Sequence, residues 1–163
     1  MPEDDVDAFA SYLHWACTQQ VIVCDDEPTT KNTMISRFRG SVELHILADK
    51  LGDIVLQNDV VDQFRATVDD YGILPHHSIV QRLFAATPEN CMLQKLVLDQ
   101  YIYKSNPTLF SVVQVRTNPE VFVKVLKALA TEGSRGGLLN GLPRDREAKC
   151  YYHVHNEDYP ACE

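Results

Sequence analysis

The sequence predicts an all-α fold, with helical hairpins packed as a small bundle and an irregular C-terminal tail. Apolar residues recur at intervals of three and four through much of the chain, which is the period of an amphipathic helix. Glycine, proline and helix-capping residues fall between these stretches, where helices would end and begin. With 163 residues, 45% of them hydrophobic and 23% charged, the chain has the composition of a globular domain and can bury a core without added cross-links.

The first predicted helix covers the segment EDDVDAFASYLHWACTQQ. Acidic residues crowd its start, where the helix dipole favours negative charge. The expected buried face carries apolar side chains at i, i+3, i+4 and i+7, namely Phe9, Tyr12, Leu13 and Ala16. A polar loop containing Pro28 follows and extends to about Thr33. Two interpretations are open for Val21 to Val23, which form either the start of this loop or a short edge strand.

The next two helices are predicted to form a tight hairpin. The first of them starts at Met34 and is ended by Gly52, because glycine adopts the left-handed conformation after a helix at little cost. Asp53 is placed to cap the second helix by accepting backbone N–H bonds. The expected core-facing residues of the pair are Leu44, Leu47, Ala48, Leu51, Leu56, Val60 and Phe64.

Shorter helices are predicted in the second half of the chain. One runs from Ser78, its expected cap, to Ala86, and the next is capped by Asn90 and ends before Asn106-Pro107. The last begins at Asn118-Pro119-Glu120, since a cap, a proline and an acid in this order are typical of a helix start. The expected apolar faces are Leu93, Leu96, Val97 and Tyr101, and then Phe122, Val125, Leu126 and Leu129. After Gly133, the stretch SRGGLLNGLPRDREAK predicts a linker or a frayed tail.

Several of these segments resemble landmarks of fungal BTB/POZ-domain proteins. EDDVDAFASYLHWACTQQV is similar to the stretch in which an acidic turn leads into an AF…yL.WLYTG helix, and LHILADKLGDIVLQNDVVDQF is similar to the LADKL motif and the helix after it. ATPENCMLQKLVLDQY and NPEVFVKVLKAL resemble the helical C-terminal extension of that family. The resemblance implies a partial BTB/POZ-like helical region over 1–70, the extension over 71–132, and a linker with a Cys/His tail over 133–163.

The same resemblance implies a protein–protein interaction module with an adapter or scaffold role. Its partners would be other proteins, including a second copy of the chain. The candidate interaction surface lies on the first helix and the LADKL hairpin, at Phe9, Leu13, Trp15, Leu44 and Leu47. In that family the N-terminal half of the domain supplies the dimer surface and part of the cullin-binding face. It has no counterpart before Met1, so a cullin ligase is not an expected partner.

Charge and hydropathy exclude other classes of partner. The chain has 23 acidic and 15 basic residues, a formal net charge of −8, and no basic stripe, so binding to nucleic-acid phosphates is not expected. No apolar run approaches the ~20 residues that span a bilayer, and no signal-peptide pattern is present. We therefore expect an intracellular protein, cytoplasmic or nuclear, whose 5 cysteines are reduced thiols.

One segment combines metal-ligating residue types at short spacing. Cys150, His153, His155 and Cys162 supply thiols and imidazoles, which are the ligands of a closed tetrahedral zinc site. The alternative is a flexible tail without a metal, since the spacing differs from that of a zinc finger. The competing functional hypothesis is therefore a zinc-stabilised structural or regulatory protein that uses this Cys/His loop. No other cofactor is expected.

No sequence motif indicates catalysis, and we expect no enzymatic activity. The chain lacks a G-x-S-x-G elbow for a serine nucleophile and a G-x4-G-K-[ST] loop for nucleotide phosphates. His76 and His77 are adjacent residues at a predicted helix start, where neighbours do not face one another, so we interpret them as polar helix residues and not as a ligand pair.

Overall fold

The computed structural model describes residues 5–23, 31–104, 119–133, 149–157 and 159. Over these residues it confirms the all-α fold, with six α-helices and a C-terminal 3₁₀ helix. The helices are α1 (Val6–Thr18), α2 (Lys31–Leu51), α3 (Ile54–Tyr71), α4 (His77–Ala86), α5 (Met92–Lys104) and α6 (Pro119–Gly133), and the 3₁₀ helix is Lys149–Tyr152.

Some predicted features fall elsewhere or outside the described ranges. The described residues contain no β-strand, and Val21 to Val23 are irregular. None of the helices in the described ranges is both long and apolar enough to cross a membrane. The predicted helix boundaries at Asn106 and Asn118 and the predicted linker over 134–148 lie outside the described residues.

The hairpin of α2 and α3 forms as predicted from its local signals. Gly52 has a φ of 68°, and the N–H of Asp53 donates to the carbonyl of Ala48 at 2.9 Å, which closes the end of α2. The Asp53 carboxylate then accepts the N–H of Leu56 at 3.0 Å and caps α3. The predicted core residues Leu56, Val60 and Phe64 are fully buried, so the hairpin presents its apolar faces to the interior.

One hydrophobic core joins both halves of the described chain. Phe38 of α2 and Phe64 of α3 meet at its centre, with ring centroids 5.0 Å apart. The same cluster includes buried residues of α4, α5 and the C-terminal segment, among them Ile79, Leu83, Leu93, Leu96, Val97 and Tyr152. The cluster therefore joins residues that come before and after position 70 in the sequence.

Helix α1 buries a different face from the one that its apolar spacing predicts. Trp15 is buried and packs on Leu44, Ala48, Leu56 and Val60. Its indole Nε1–H donates to Asp59 Oδ2 at 2.8 Å, which satisfies the polar atom of the ring. Of the predicted stripe, Tyr12 packs against the edge of this cluster, whereas Phe9 and Leu13 are 49% and 51% exposed. The prediction was wrong because α1 carries two apolar faces, and the face with the large, hydrogen-bonded indole is the one that docks.

Two predicted helix caps also differ in the structure. His76 caps α4 in place of Ser78, since its Nδ1 accepts the N–H of Ser78 at 3.4 Å. Cys91 precedes α5 in place of Asn90, and its carbonyl accepts the N–H of Lys95 at 3.2 Å. The cap of α4 thus lies two residues before the predicted one, and α5 begins one residue later than a cap at Asn90 would place it.

Two positions of the predicted apolar stripes are also exposed. Leu51 is the last residue of α2, next to the turn at Gly52, and its side chain is exposed. On α6, Val125 is buried as predicted but Leu126 is half-exposed, and Val121 packs against the core in its place. The buried face of α6 is rotated by about one residue relative to the predicted face. Because valines and leucines occur on both faces of α6, their spacing does not distinguish the two.

The segment after α1 crosses α2 at a glycine. A Cβ atom at Gly40 would lie 2.9 Å from the carbonyl oxygen of Val23 and 3.0 Å from the Val23 Cβ. Gly40 therefore sits in the middle of α2 because the returning chain passes directly over it.

The C-terminal segment, residues 149–157, packs against the bundle. Tyr152 is 1% exposed and belongs to the main core, and its hydroxyl donates to Asp99 Oδ2 of α5 at 2.9 Å. The ammonium of Lys95 lies 3.9 Å from the centre of the Tyr151 ring. Residues 149–157 are therefore docked on the bundle, because two adjacent tyrosines supply apolar area that α5 covers. The segment predicted as a linker or frayed tail lies outside the described residues except for Lys149.

Candidate metal centre

Helix α3 fixes the backbone of the C-terminal segment through one asparagine. The Asn58 amide donates to the carbonyl of Val154 at 3.1 Å and accepts the N–H of Val154 at 2.8 Å. Both backbone polar groups of Val154 are thereby paired with a single side chain. Val154 lies between His153 and His155, so this contact fixes the backbone from which both imidazoles project.

Asp62 lies one helical turn after Asn58 and binds the first of these histidines. Its Oδ1 is 2.8 Å from His153 Nε2, and the His153 side chain is buried. The spacing of i and i+4 puts Asn58 and Asp62 on the same face of α3. With Nε2 turned to Asp62, Nδ1 is the His153 atom that a metal would bind. A carboxylate on the second ring nitrogen is the usual companion of a metal-bound histidine, because it fixes the tautomer and the ring orientation.

Three of the predicted metal ligands are brought together. One ligand atom each from Cys150, His153 and His155 lies within 4.8 Å of the others, and the burial of the three residues falls from His153 through Cys150 to His155. In a tetrahedral zinc site such atoms are roughly 3.5 Å apart, given Zn–S and Zn–N distances of about 2.3 and 2.0 Å. The three atoms would therefore have to move closer together for one metal ion to bind all of them. The fourth predicted ligand, Cys162, lies outside the described residues.

The sulfur of Cys150 has another bond in this structure. Cys150 is disulfide-bonded, whereas Cys17 and Cys91 are free thiols, the first exposed and the second buried. The expectation of reduced thiols is therefore met by Cys17 and Cys91 and was wrong for Cys150. A metal binds the thiolate form of cysteine, so in this structure the Cys150 sulfur is unavailable as a ligand while Asp62 orients the His153 imidazole.

The remaining histidines do not join this cluster. His76 and His77 lie at the start of α4 with ring centroids 3.9 Å apart, and His76 acts as the helix cap. His45 is buried on α2, and burial lowers its pKa to about 4, so its imidazole is neutral at pH 7. Among the described residues, no group accepts or donates a hydrogen bond at His45 Nδ1. His14 is exposed on α1.

The candidate interaction surface divides into buried and exposed residues. Trp15, Leu44 and Leu47 are buried, so they are not part of an exposed surface. Leu44 and Leu47 instead occupy the core-facing stripe that was also predicted for the hairpin, and Trp15 packs against that hairpin. Phe9 and Leu13 are exposed, and Val6, which the prediction omitted, is 80% exposed on the same face of α1 at i, i+3 and i+7.

A cleft of about 430 Å³ opens beside α5 and α6. Its lysines already have partners, because Lys124 pairs with Glu89 at 3.3 Å and Lys95 lies over Tyr151. Asp99 and Gln94 of the lining are bound to residues outside it, Tyr152 and Thr87. The polar residues of the cleft therefore do not converge on a ligand position.

Sequence reasoning missed the residues that position the site. Asn58, Asp62 and Asp99 are distant in sequence from the segment that they bind, and the contact of Asp62 with His153 spans 91 residues. Their only signal in the sequence is that Asn58 and Asp62 share a polar face of an amphipathic helix, which is equally typical of a solvent-exposed face.

No protein-family profile, no curated protein and no solved structure matches this chain. The BTB/POZ resemblance therefore stays a prediction, and the chemistry of the site is inferred from its geometry.

Proposed function

We propose that this chain is a metal-binding helical protein in which Cys150, His153 and His155 hold a zinc ion at the C-terminal segment. The observation that supports the proposal is the gathering of the three ligand atoms within 4.8 Å of one another. Asn58 and Asp62 hold the backbone and one imidazole in place, so little conformational entropy would be lost when a metal binds.

The donor set favours zinc over the common hard cations. A thiolate and two imidazoles suit zinc, whereas magnesium and calcium require oxygen ligands. With Cys162 as the fourth ligand the site is closed and structural, and with water in that position it is open. The structural role is the better supported one, because the segment that carries the ligands also packs its Tyr152 into the core.

A bound zinc ion would stabilise the folded chain. A ligand that binds only the native state adds about 2.7 kcal/mol when its free concentration is roughly 100 times its Kd. We expect the reduced protein to contain about one zinc per chain and to melt at a lower temperature after treatment with a chelator.

The test uses metal analysis and thermal melting of the reduced full-length chain. His153→Gln and His155→Gln should lower the zinc content, whereas His14→Gln, at the exposed histidine of α1, should leave it unchanged. Absence of stoichiometric zinc from the reduced wild-type protein, together with melting that chelator does not alter, would overturn the proposal.

A second function is favoured by the exposed face of α1. Val6, Phe9 and Leu13 form an apolar stripe on the surface, and such stripes are used by helices that dock into partner grooves. The partner that we propose is a second copy of the chain, since two such stripes can cover each other. The adapter or scaffold role rests on the BTB/POZ resemblance alone.

Light scattering over a range of protein concentrations tests this second function. The wild type should show a dimer whose fraction rises with concentration, and Leu13→Ser should reduce it. Val123→Ser is the matched control, because Val123 is a half-exposed apolar residue on α6. A monomer at all concentrations, or equal effects of the two variants, would contradict a dimer through α1.

A further inference from the structure

We propose that Cys150 is a redox switch for this site, in which its disulfide excludes the metal and its reduction creates the metal-binding form. The proposal rests on the proposed metal-binding function and assigns a regulation to the same site. It is carried by two separate observations, one on the Cys150 sulfur and one on the contacts that hold the surrounding segment.

The first observation is that the Cys150 sulfur has two competing sets of partners. It is disulfide-bonded, and it also lies within 4.8 Å of the ligand atoms of His153 and His155. A sulfur in a disulfide carries no negative charge and is a poor metal ligand, whereas a thiolate is a strong one. The two bonding states therefore exclude each other at this position.

The second observation is that the surrounding scaffold does not depend on the sulfur. Asn58 holds Val154, Asp62 holds His153, and the Tyr152 hydroxyl binds Asp99, all without Cys150. The segment can therefore stay docked on α3 and α5 when the disulfide is broken. Reduction would change the chemistry of one ligand while the His153 imidazole and the backbone that carries His155 keep their places.

The switch requires only thiol–disulfide exchange and metal exchange. An external dithiol reduces the protein disulfide, which yields two protein thiols and the cyclic disulfide of the reagent. Zinc then displaces the proton of the Cys150 thiol, which passes to solvent as the S–Zn bond forms. In the reverse direction, a small-molecule disulfide oxidises the Cys150 thiolate and the partner thiol. The products are the protein disulfide, one small-molecule thiol and one small-molecule thiolate, and the zinc ion is released.

The position of Cys150 suits exchange with reagents in solution. Cys150 is partly buried and His155 beside it is exposed, so the cluster reaches the surface. Cys91, in contrast, is buried, and burial raises the pKa of its thiol, which lowers its thiolate fraction. The structure thus separates a buried, inert cysteine from one that lies beside two imidazoles near solvent.

The experiment compares zinc affinity of the oxidised and reduced full-length chain. Zinc alone is titrated against a chromogenic chelator, after oxidation with a small-molecule disulfide or reduction with a phosphine. Loss of a hydrogen-bond partner in the outer shell of a metal site weakens metal binding by up to about 100-fold. Because the disulfide removes a direct ligand, we expect the oxidised form to bind zinc at least about 100-fold more weakly than the reduced form. Peptide mapping of the oxidised protein checks that the disulfide is present and identifies the partner of Cys150.

The variants separate the switch from the metal function. Cys150→Ser should bind zinc weakly and equally under both conditions, whereas Cys17→Ser, at the exposed free thiol, should keep the wild-type difference. Equal and tight zinc binding by oxidised and reduced wild type would overturn the switch and leave the metal function standing. No zinc binding in either state would overturn both, and failure of the disulfide to form under oxidation would overturn the switch.

Discussion

The two ends of the described chain dock on the same helix in different ways. Helix α1 packs apolar surface on the α2–α3 hairpin and makes one long-range side-chain bond, from Trp15 to Asp59. The C-terminal segment is held by side chains of Asn58, Asp62 and Asp99. Helix α1 leaves an apolar stripe in solvent beside its buried Trp15, whereas the C-terminal segment is held by several hydrogen bonds around its buried Tyr152.

This difference shows that hydrophobicity alone does not decide which segment is held firmly. An apolar face can dock in several rotations at similar cost, because the hydrophobic effect has no direction. A buried hydrogen bond fixes both distance and angle, and leaving it unmade is costly. Asp59 selects the face of α1, and Asn58 and Asp62 select the path of the C-terminal segment.

The largest expected effect is at the C-terminal segment. Tyr152→Ala should lower the free energy of unfolding by about 3–5 kcal/mol, since it removes a fully buried aromatic ring and leaves a cavity. Urea unfolding measures it, with Tyr159→Ala at a half-exposed tyrosine as the control. A loss below about 1 kcal/mol for Tyr152→Ala would show that the packing of this segment contributes little to the stability of the bundle.

The next effect is a loss of stability in acid through His45. Its pKa is about 4 in the folded chain against 6.5 when exposed, so the unfolded chain binds the proton more readily. The stability that this group contributes is full above pH 6.5 and is lost as the pH falls toward 4, by up to about 3 kcal/mol.

His45→Gln should remove most of that pH dependence, and His14→Gln should not. Because Trp15 is the single tryptophan of the chain, its fluorescence reports the docking of α1, while far-UV circular dichroism reports all helices. If the two signals change at different pH values, α1 separates before the rest of the bundle. Identical slopes in the wild type and His45→Gln would contradict the assignment to His45.

A smaller and more selective effect is expected from two neighbouring residues of α3. Asn58→Ala and Asp59→Ala should each cost about 1 kcal/mol, because each leaves a partly buried polar group without its partner. Only Asp59→Ala should shift the fluorescence of Trp15, and only Asn58→Ala should speed hydrogen exchange at the Val154 amide. Changes of both signals in both variants would mean that the two ends are coupled.

The smallest effect is expected at the exposed stripe of α1. Leu13→Ser should change the free energy of unfolding of the monomer by no more than about 0.5 kcal/mol, as is usual for surface positions. Thermal melting at low protein concentration measures it, and a larger loss would show that Leu13 is covered in solution.

The sequence predicts the α2–α3 hairpin well, but it predicts poorly how α1 and the C-terminal segment dock on that hairpin. Gly52 and Asp53 act within a few residues of themselves, so their roles follow from local chemistry. The three metal-ligating residues that are brought together also lie close in sequence, which is why their spacing identifies them. The face of α1 and the anchor of His153 depend on Asp59 and Asp62, and no local pattern connects these acids to segments so far away along the chain.

Gly40 limits how the stability of α2 can be increased by substitution. Replacing a glycine within a helix by alanine usually gains about 1 kcal/mol, so Gly40→Ala would be a first choice for stabilising α2. The added carbon would lie 2.9 Å from the backbone of Val23, which has no side-chain freedom with which to move aside. The best sequence for α2 as an isolated helix is therefore not the best sequence for α2 in this fold, because the connection from α1 needs the space at that position.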